Sequence, residues 1–102
     1  MQEHLAIKLD KVIHQKVRLG IVSILMVKGD AEFNYLKQRL KLTDGNLSTH
    51  LSHLEKAKYI TIQKKFVKKK PKTICRLTEK GRAAFSEYIN NLEQIIHILP
   101  KE

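Results

Sequence analysis

The sequence predicts a mostly helical α+β fold, in which three helices precede a two-stranded β-hairpin and a fourth helix follows it. Two changes in hydrophobic periodicity indicate this order. Apolar residues recur every three to four positions as far as residue 57, every second position within 59–77, and every three to four positions again from Phe85. The length of 102 residues is enough for one domain with a single modest core. We therefore expect one domain that spans residues 1–102.

The first two helices are predicted from apolar spacing and stop signals. A long helix is expected over residues 10–27, and it ends at the polar sequence 28–30, which contains a glycine. A short extended link is predicted at 31–33. A second helix of about two turns is expected over 35–40, and it ends at the polar turn near Thr43.

The third helix is predicted over residues 44–57, with Thr43 as its N-cap. Leu47, Leu51 and Leu54 form its apolar stripe, and the opposite face carries small polar side chains. Such a face can enter the major groove of duplex DNA and form hydrogen bonds with base edges. We expect the helix to contact bases or phosphates through Thr43, Gly45, Asn46, Ser48, Thr49, Ser52 and His53.

A β-hairpin is predicted over residues 59–77, with its loop at 68–72. No acidic residue lies between Glu55 and Glu79, whereas nine basic residues do, and the whole chain has a net charge of +10. Clustered lysines attract phosphates without regard to base sequence, so the hairpin supplies affinity and the third helix selectivity. The expected hairpin contacts to DNA are Lys64, Lys65, Lys68, Lys69, Lys70, Lys72 and Arg76.

The last helix is predicted over residues 78–99, with Thr78 as its N-cap. Its apolar residues recur at alternating spacings of four and three from Phe85 to Leu99, which is a heptad pattern. The alternative is a helix that packs only on its own domain, but the apolar surface is large for so short a chain, which favours a homodimer. The predicted dimer contacts are Leu5, Leu9, Phe85, Tyr88, Ile89, Leu92, Ile95, Ile96 and Leu99.

Two segments in this order of elements, NLSTHLSHLEKAKYI and RLTEKGRAAF, resemble winged helix-turn-helix transcriptional regulators of the MarR and ArsR type. The resemblance covers residues 12–92. It implies a homodimeric regulator, a repressor in the simplest case, that binds double-stranded DNA at a pseudo-palindromic site. It also implies that the third helix is the recognition helix, that the hairpin is a wing with its tip at 68–72, and that the last helix mediates dimerisation.

The chain departs from that family pattern in three ways. Lys58 stands where relatives often have glycine after the recognition helix, and the wing tip carries lysines and Pro71 in place of an arginine. The cysteine pair of metal-sensing relatives is absent, because Cys75 is the only cysteine. The chain is also short for a MarR-type ligand pocket. A small-molecule effector therefore stays open, and none is identified.

Other interpretations of the same residues remain open. The lysine run can be a solvated face or a nuclear import signal, and His50 with His53 has the spacing to share a metal ion. Cys75 can be a structural thiol or a redox sensor, and we favour the structural role. A second functional hypothesis is a winged-helix module that binds protein or RNA within a larger assembly. The few aromatic residues disfavour single-strand recognition.

The sequence gives no support for catalysis or for membrane insertion. It contains no glycine-rich phosphate loop, no metal-ligand cluster and no plausible set of nucleophile, base and orienting residue. No stretch approaches the length of an apolar membrane span. We expect a protein without cofactor or metal, not an enzyme, located in the cytoplasm on the nucleoid.

Overall fold

The computed structural model describes residues 8–98 and confirms the predicted α+β winged-helix class. The elements are α1 (Lys16–Lys28), β1 (Asp30–Glu32), α2 (Phe33–Leu40), α3 (Asp44–Lys56), β2 (Ile60–Val67), β3 (Lys70–Leu77) and α4 (Glu79–Ile98). The hairpin formed by β2 and β3 follows the third helix and leads into the fourth, as the change of periodicity predicts.

The first helix begins later than its apolar spacing predicts. The backbone N–H groups of Val12 and Ile13 donate to Oδ1 of Asp10 at 2.8 and 3.1 Å, which closes a separate turn before the helix. Gln15 then adopts an extended conformation with φ −153° and caps α1 by accepting from the amide of Arg18. The predicted start at residue 10 is wrong, because two local side-chain caps interrupt the helical backbone that the apolar residues alone would allow.

The sheet has a third strand that the sequence pattern did not reveal. Strand β1 pairs antiparallel with β3, placing Asp30 opposite Arg76 and Ala31 opposite Cys75, and the strand order is β1-β3-β2. The predicted extended link at 31–33 therefore includes most of this strand, while Phe33 already begins α2. A strand of three residues is too short to show an alternating pattern that differs from a loop.

The core lies between the first three helices and one face of the sheet. The predicted stripe of α3 is confirmed, since Leu47, Leu51 and Leu54 are all buried. These leucines form one apolar cluster with residues from α1, β1, α2 and the sheet, and the most buried members are Ile21, Val22, Leu25, Leu36, Ile60 and Cys75. The exposed side of α3 is thereby held in a single orientation.

Helices α2 and α3 both end at a lysine with left-handed backbone, Lys41 with φ 54° and Lys58 with φ 66°. After α3, the amide of Tyr59 donates to the carbonyl of Leu54 at 3.0 Å and the amide of Lys58 donates to that of Glu55 at 2.9 Å. This pair of bonds is a Schellman motif, in which glycine is the favoured left-handed residue. Lysine at position 58 costs about 1 kcal/mol relative to glycine.

The start of α4 is hydrogen-bonded to the turn that follows α3. Thr78 Oγ1 accepts from the amide of Gly81 at 3.0 Å, which confirms the predicted N-cap, and it donates to the carbonyl of Lys58 at 2.7 Å. A Cβ atom at Gly81 would lie 2.2 Å from the carbonyl oxygen of Tyr59. Only glycine fits here, so this contact sets how closely α4 approaches the base of the wing.

Candidate nucleic-acid interface

The face of α3 opposite its leucine stripe is exposed along its whole length. Because the stripe is fixed in the core, the remaining positions of the helix point away from the domain. All seven residues of this region that were predicted to contact DNA lie on the exposed surface, namely Thr43, Gly45, Asn46, Ser48, Thr49, Ser52 and His53.

Hydrogen bonds within the first two turns of α3 limit what some of these side chains can offer. Thr43 Oγ1 accepts from the amide of Asn46 at 3.1 Å, so it caps the helix as predicted. Thr49 Oγ1 donates to the carbonyl of Gly45 at 2.9 Å, which occupies its hydroxyl hydrogen and leaves its methyl group and lone pairs available. A Cβ atom at Gly45 would meet nothing within 4 Å. Packing does not require glycine there, and its lack of a side chain lets another molecule approach closely.

An ion pair neutralises the acidic residue at the start of α3. Lys37 Nζ of α2 lies 2.8 Å from Oδ1 of Asp44, whose side chain is 73% exposed. The sequence pattern of α3 gives no indication of this partner, because Lys37 belongs to α2. The pair reduces the repulsion that an isolated carboxylate would exert on a nearby phosphate.

Arg18 of α1 supports the middle of α3 through His50. Its Nη1 lies 3.0 Å from Nδ1 of His50, and its Nε donates to the carbonyl of Val12 at 2.5 Å. Arginine has only donors, so Nδ1 accepts and the imidazole is neutral with its proton on Nε2. Burial lowers the pKa of His50, and the charges of Arg18 and His53 lower that pKa further. Nothing in the local sequence pointed to Arg18, because its partner is 32 positions away.

The wing turn is tighter than predicted. Lys68 and Lys69, with φ 53° and 67°, form a two-residue connection in which both backbones are left-handed, as a type I′ turn requires. The predicted loop over 68–72 is wrong in its second half, since Lys70 pairs with Val67 and Pro71 with Phe66. Proline is tolerated because β1 pairs with β3 only at residues 74–76, which leaves the other edge of β3 open at Pro71.

The wing cations are distributed over both faces of the hairpin and its tip. Residues directly opposite in an antiparallel pair share a face, and successive residues alternate between faces. Lys64 shares its face with Ile60 and Ile62, which pack into the core, whereas Lys68 and Lys69 form the tip. The opposite face carries Lys65, Lys70, Lys72 and Arg76.

Two of the seven predicted wing contacts are already paired within the sheet. Lys72 Nζ lies 3.2 Å from Glu32, and Arg76 Nη2 lies 2.9 Å from Asp30. Both acids belong to β1, the strand that the sequence pattern did not reveal. Within residues 8–98, the other five cations form no salt bridge, which leaves Lys64, Lys65, Lys68, Lys69 and Lys70 for an anionic partner.

This arrangement of elements agrees with a known family. Residues 17–96 match the sequence profile of the family described as Winged helix DNA-binding domain. The chain belongs to the winged helix DNA-binding domain family. The predicted winged helix resemblance is thereby confirmed, and the chain carries a winged helix DNA-binding domain.

Three known proteins are similar to this winged helix in sequence or in structure. It is 42% identical over 85 residues to the uncharacterized protein MJ0432 of Methanocaldococcus jannaschii, covering 83% of this chain and 92% of that one. A transcriptional regulator homologue from Pyrococcus horikoshii superposes with a TM-score of 0.80 at 28% identity, covering 84% and 85%. The diamide-treated YodB of B. subtilis has the same fold, with a TM-score of 0.76 at 20% identity over 88% of each chain.

A shallow cleft separates the recognition helix of this winged helix from its wing. Ser48 and Ser52, one turn apart on α3, face Lys64 and Thr73 across a volume of about 400 Å³. Phe33 and Leu51 also line this cleft. The two serines therefore line the side of α3 next to the wing, whereas Asn46 and Thr49 do not line this cleft.

The predicted dimer contacts of the winged helix have different environments. Tyr88 is 2% exposed, and its hydroxyl lies 2.8 Å from Nδ1 of His14, so its own domain covers almost all of its side chain, and its contact with a partner subunit stays a prediction. Its burial results from the turn before α1 packing on α4. Ile96 is 58% exposed, while five others are half-buried, namely Leu9, Phe85, Ile89, Leu92 and Ile95. Leu5 and Leu99 lie outside the described residues.

The thiol of Cys75 is enclosed by the core of the winged helix. Its side chain is fully buried, and Cys75 lies between Ala31 of β1 and Ile62 of β2 in the sheet. Burial raises the pKa of Cys75 to about 11, and the charge of Glu55 contributes to the shift. A protonated and inaccessible thiol fits a structural role.

Metal binding and membrane insertion find no support in the part of the chain that the structure describes. His50 and His53 have ring centroids 6.5 Å apart, but no group of three or more potential ligands surrounds them or any other point within residues 8–98. None of the described helices is long and apolar enough to cross a membrane.

Proposed function

We propose that this winged helix protein is a homodimeric, sequence-specific regulator of transcription that represses by occupying a pseudo-palindromic site on double-stranded DNA. The observation that carries the proposal is the exposed polar face of α3 beside an acid-free basic wing. Five lysines of that wing form no salt bridge within residues 8–98. No cofactor or catalytic step is needed for such a role, and a DNA partner implies a cytoplasmic location on the nucleoid.

Base recognition is assigned to the first turns of α3. Helix-turn-helix proteins read bases mainly through the N-terminal residues of the recognition helix. Asn46 can pair with the edge of an adenine, and the Thr49 methyl group can contact a thymine methyl. Gly45 allows the phosphate backbone to approach, because packing leaves open space at its Cα. Ser52 and His53 extend the contacts along the groove.

The wing supplies attraction that does not depend on base sequence. If four of the unpaired lysines of each subunit contact phosphates, log K should fall with log salt at a slope of about −7 for a dimer. Lys72 and Arg76 should contribute less than the others, because β1 already supplies them with carboxylates. Ser48 and Ser52, which line the cleft toward the wing, are suited to a sugar-phosphate strand.

Dimerisation is assigned to the distal half of α4. Ile96 is 58% exposed, and Ile89 and Leu92 are half-buried at heptad spacing. Pairing two chains along this surface would cover the apolar side chains and present two α3 helices to successive major grooves, roughly 34 Å apart. Sedimentation of the full chain at micromolar concentration should give a dimer, and a monomer would contradict this part of the proposal.

Selection of bound duplexes from a random pool, with a salt titration, tests the function directly. The expected result is a two-fold symmetric consensus. Asn46→Ala or Thr49→Ala should relax the consensus, whereas neutralising Lys68, Lys69 and Lys70 together should weaken all sequences and reduce the salt slope. Recovery of no duplex consensus, or equal losses on specific and random DNA for both sets of variants, would refute the proposal. Preferential binding of RNA in a parallel pool would do the same.

A further inference from the structure

The tip of the wing carries an exposed aromatic ring to which the proposed function gives no role. Phe66 is 76% exposed, although a phenylalanine side chain is normally stabilised by burial. Pro71 lies directly opposite on β3 and is also exposed. The two side chains form an apolar cross-strand pair two residues from the turn.

The pair lies on the face of the wing that continues the core-facing side of the sheet. Alternation along β2 places Phe66 on the same face as Ile60 and Ile62, which pack beneath α3. Phe66 lies four positions after Ile62, a distance of about 13 Å along the strand. Centres of adjacent major and minor grooves are separated by half of a helical turn, about 17 Å. If α3 occupies the major groove, a hairpin that extends this far beyond the core would carry Phe66 toward the neighbouring minor groove.

The exposed ring and the lysines near it favour a polyanionic partner that also offers an apolar surface. Lys64 lies on the same face as Phe66, Lys68 and Lys69 form the adjoining tip, and Lys65 and Lys70 lie on the opposite face. None of these five lysines forms a salt bridge within the described residues. The minor groove offers two rows of phosphates on either side of sugars and base edges, about 6 Å apart. Apolar side chains that enter this groove insert between base steps and kink the duplex, while cations hold the flanking phosphates.

We infer that Phe66, supported by Pro71, is a minor-groove wedge that inserts at a deformable base step beside the sequence read by α3. Pyrimidine–purine steps are the easiest to unstack, so the wing selects DNA by deformability and not by hydrogen bonding. The inference rests on the proposed function, since it requires binding to duplex DNA. It assigns specificity to a wing that has no arginine at its tip.

The test uses the full chain, with its selected duplex labelled at both ends for energy transfer and carrying 2-aminopurine at the flanking step. Wild type should bend the duplex and increase 2-aminopurine emission, and Phe66→Ala should abolish both signals and reduce affinity about tenfold or more. The salt slope should not change, because all the lysines remain. Val67→Ala is the matched control, since Val67 is 40% exposed on the opposite face of the same strand.

A third variant separates insertion from folding of the wing. Phe66→Leu retains an apolar wedge and should keep most of the bending, since leucine also serves as a wedge. The inference would be overturned if Phe66→Ala bound and bent the duplex like wild type, or if wild type left the duplex straight. Either result would leave the proposed function intact. Equal loss for Phe66→Leu and Phe66→Ala, with a matching fall in Tm, would also overturn it. Failure of wild type to select any duplex would refute the proposed function itself.

Discussion

The carbonyl oxygen of Tyr59 approaches Gly81 so closely that a Cβ atom there would lie 2.2 Å from it and 2.8 Å from Cδ1 of Leu77. The contact joins the turn after the recognition helix to the first turn of α4. Since α4 also carries the proposed dimer surface, Gly81 links the orientation of the recognition helix α3 to the geometry of the dimer.

Gly81→Ala should destabilise the domain by about 1 to 3 kcal/mol, because the added methyl group meets backbone atoms that cannot rotate away. The measurement is the free energy of unfolding in urea. Gly45→Ala is the control, since a Cβ atom there meets nothing within 4 Å. It should stabilise α3 by up to about 1 kcal/mol. Similar effects of the two substitutions would contradict the close contact at Gly81.

Lys58→Gly should stabilise the protein by about 1 kcal/mol, because glycine adopts the left-handed backbone of the Schellman motif without steric cost. Lys56→Gly removes the same charge two residues earlier, at the last residue of α3, where glycine is less favourable than lysine by up to about 1 kcal/mol. Chemical denaturation of both variants checks the opposite signs. A loss of stability in both would mean that Lys58 contributes an interaction greater than its backbone strain.

Replacing Lys68 and Lys69 by Asn-Gly should raise stability and lower DNA affinity in the same molecule. Asn-Gly is the favoured pair for a type I′ turn, so the hairpin gains while two cations are lost. The double variant with glutamine at both positions removes the charges and keeps ordinary side chains. It should lose affinity equally without the gain in stability. Thermal unfolding and a salt titration of binding distinguish the two effects.

Protein stability should fall as the pH drops below about 6.5, the ordinary pKa of histidine, and His50 should contribute to that fall. The pKa of His50 is lowered in the folded chain, so the unfolded chain takes up the proton first and folding becomes less favourable in acid. His50→Gln keeps an acceptor for Arg18 and should flatten the dependence between pH 7 and 5. His53→Gln should flatten the dependence less than His50→Gln does, because the charge of His53 is the smallest of the three causes that lower the His50 pKa. Urea titrations at several pH values provide the comparison.

Cys75 should react with a thiol reagent only after the protein unfolds, because its side chain is fully buried and its pKa is raised to about 11. Cys75→Ser should lower the free energy of unfolding by about 1 to 3 kcal/mol, since a hydroxyl is costly in an apolar site. DNA affinity of wild type should be the same with and without a mild oxidant. Fast labelling of the native protein, or oxidant-dependent binding, would restore the redox-sensor hypothesis.

Local features of this protein could be predicted because they depend on residues close in sequence. The Leu47, Leu51 and Leu54 stripe follows from helical spacing, and the Thr43 and Thr78 caps follow from hydrogen bonds to amides three residues later. Two local boundaries were nevertheless missed. The Asp10 turn competes with helix formation before α1, and a lysine pair gave no sign of a type I′ turn at the wing tip.

The sequence by itself determined the order of the four helices and the hairpin, the polar face of α3 and the surplus of lysines in the wing, since spacing and composition are sufficient for each. Tertiary structure decided which side chains are exposed and unpaired, and so available to a binding partner. Asp30 pairs with Arg76, 46 positions away, only because β1 joins the sheet, and Tyr88 is buried against His14 only because the segment before α1 packs on α4. Pairing between distant segments costs chain entropy, and only the assembled core offsets that cost. A local sequence pattern therefore cannot predict such pairing.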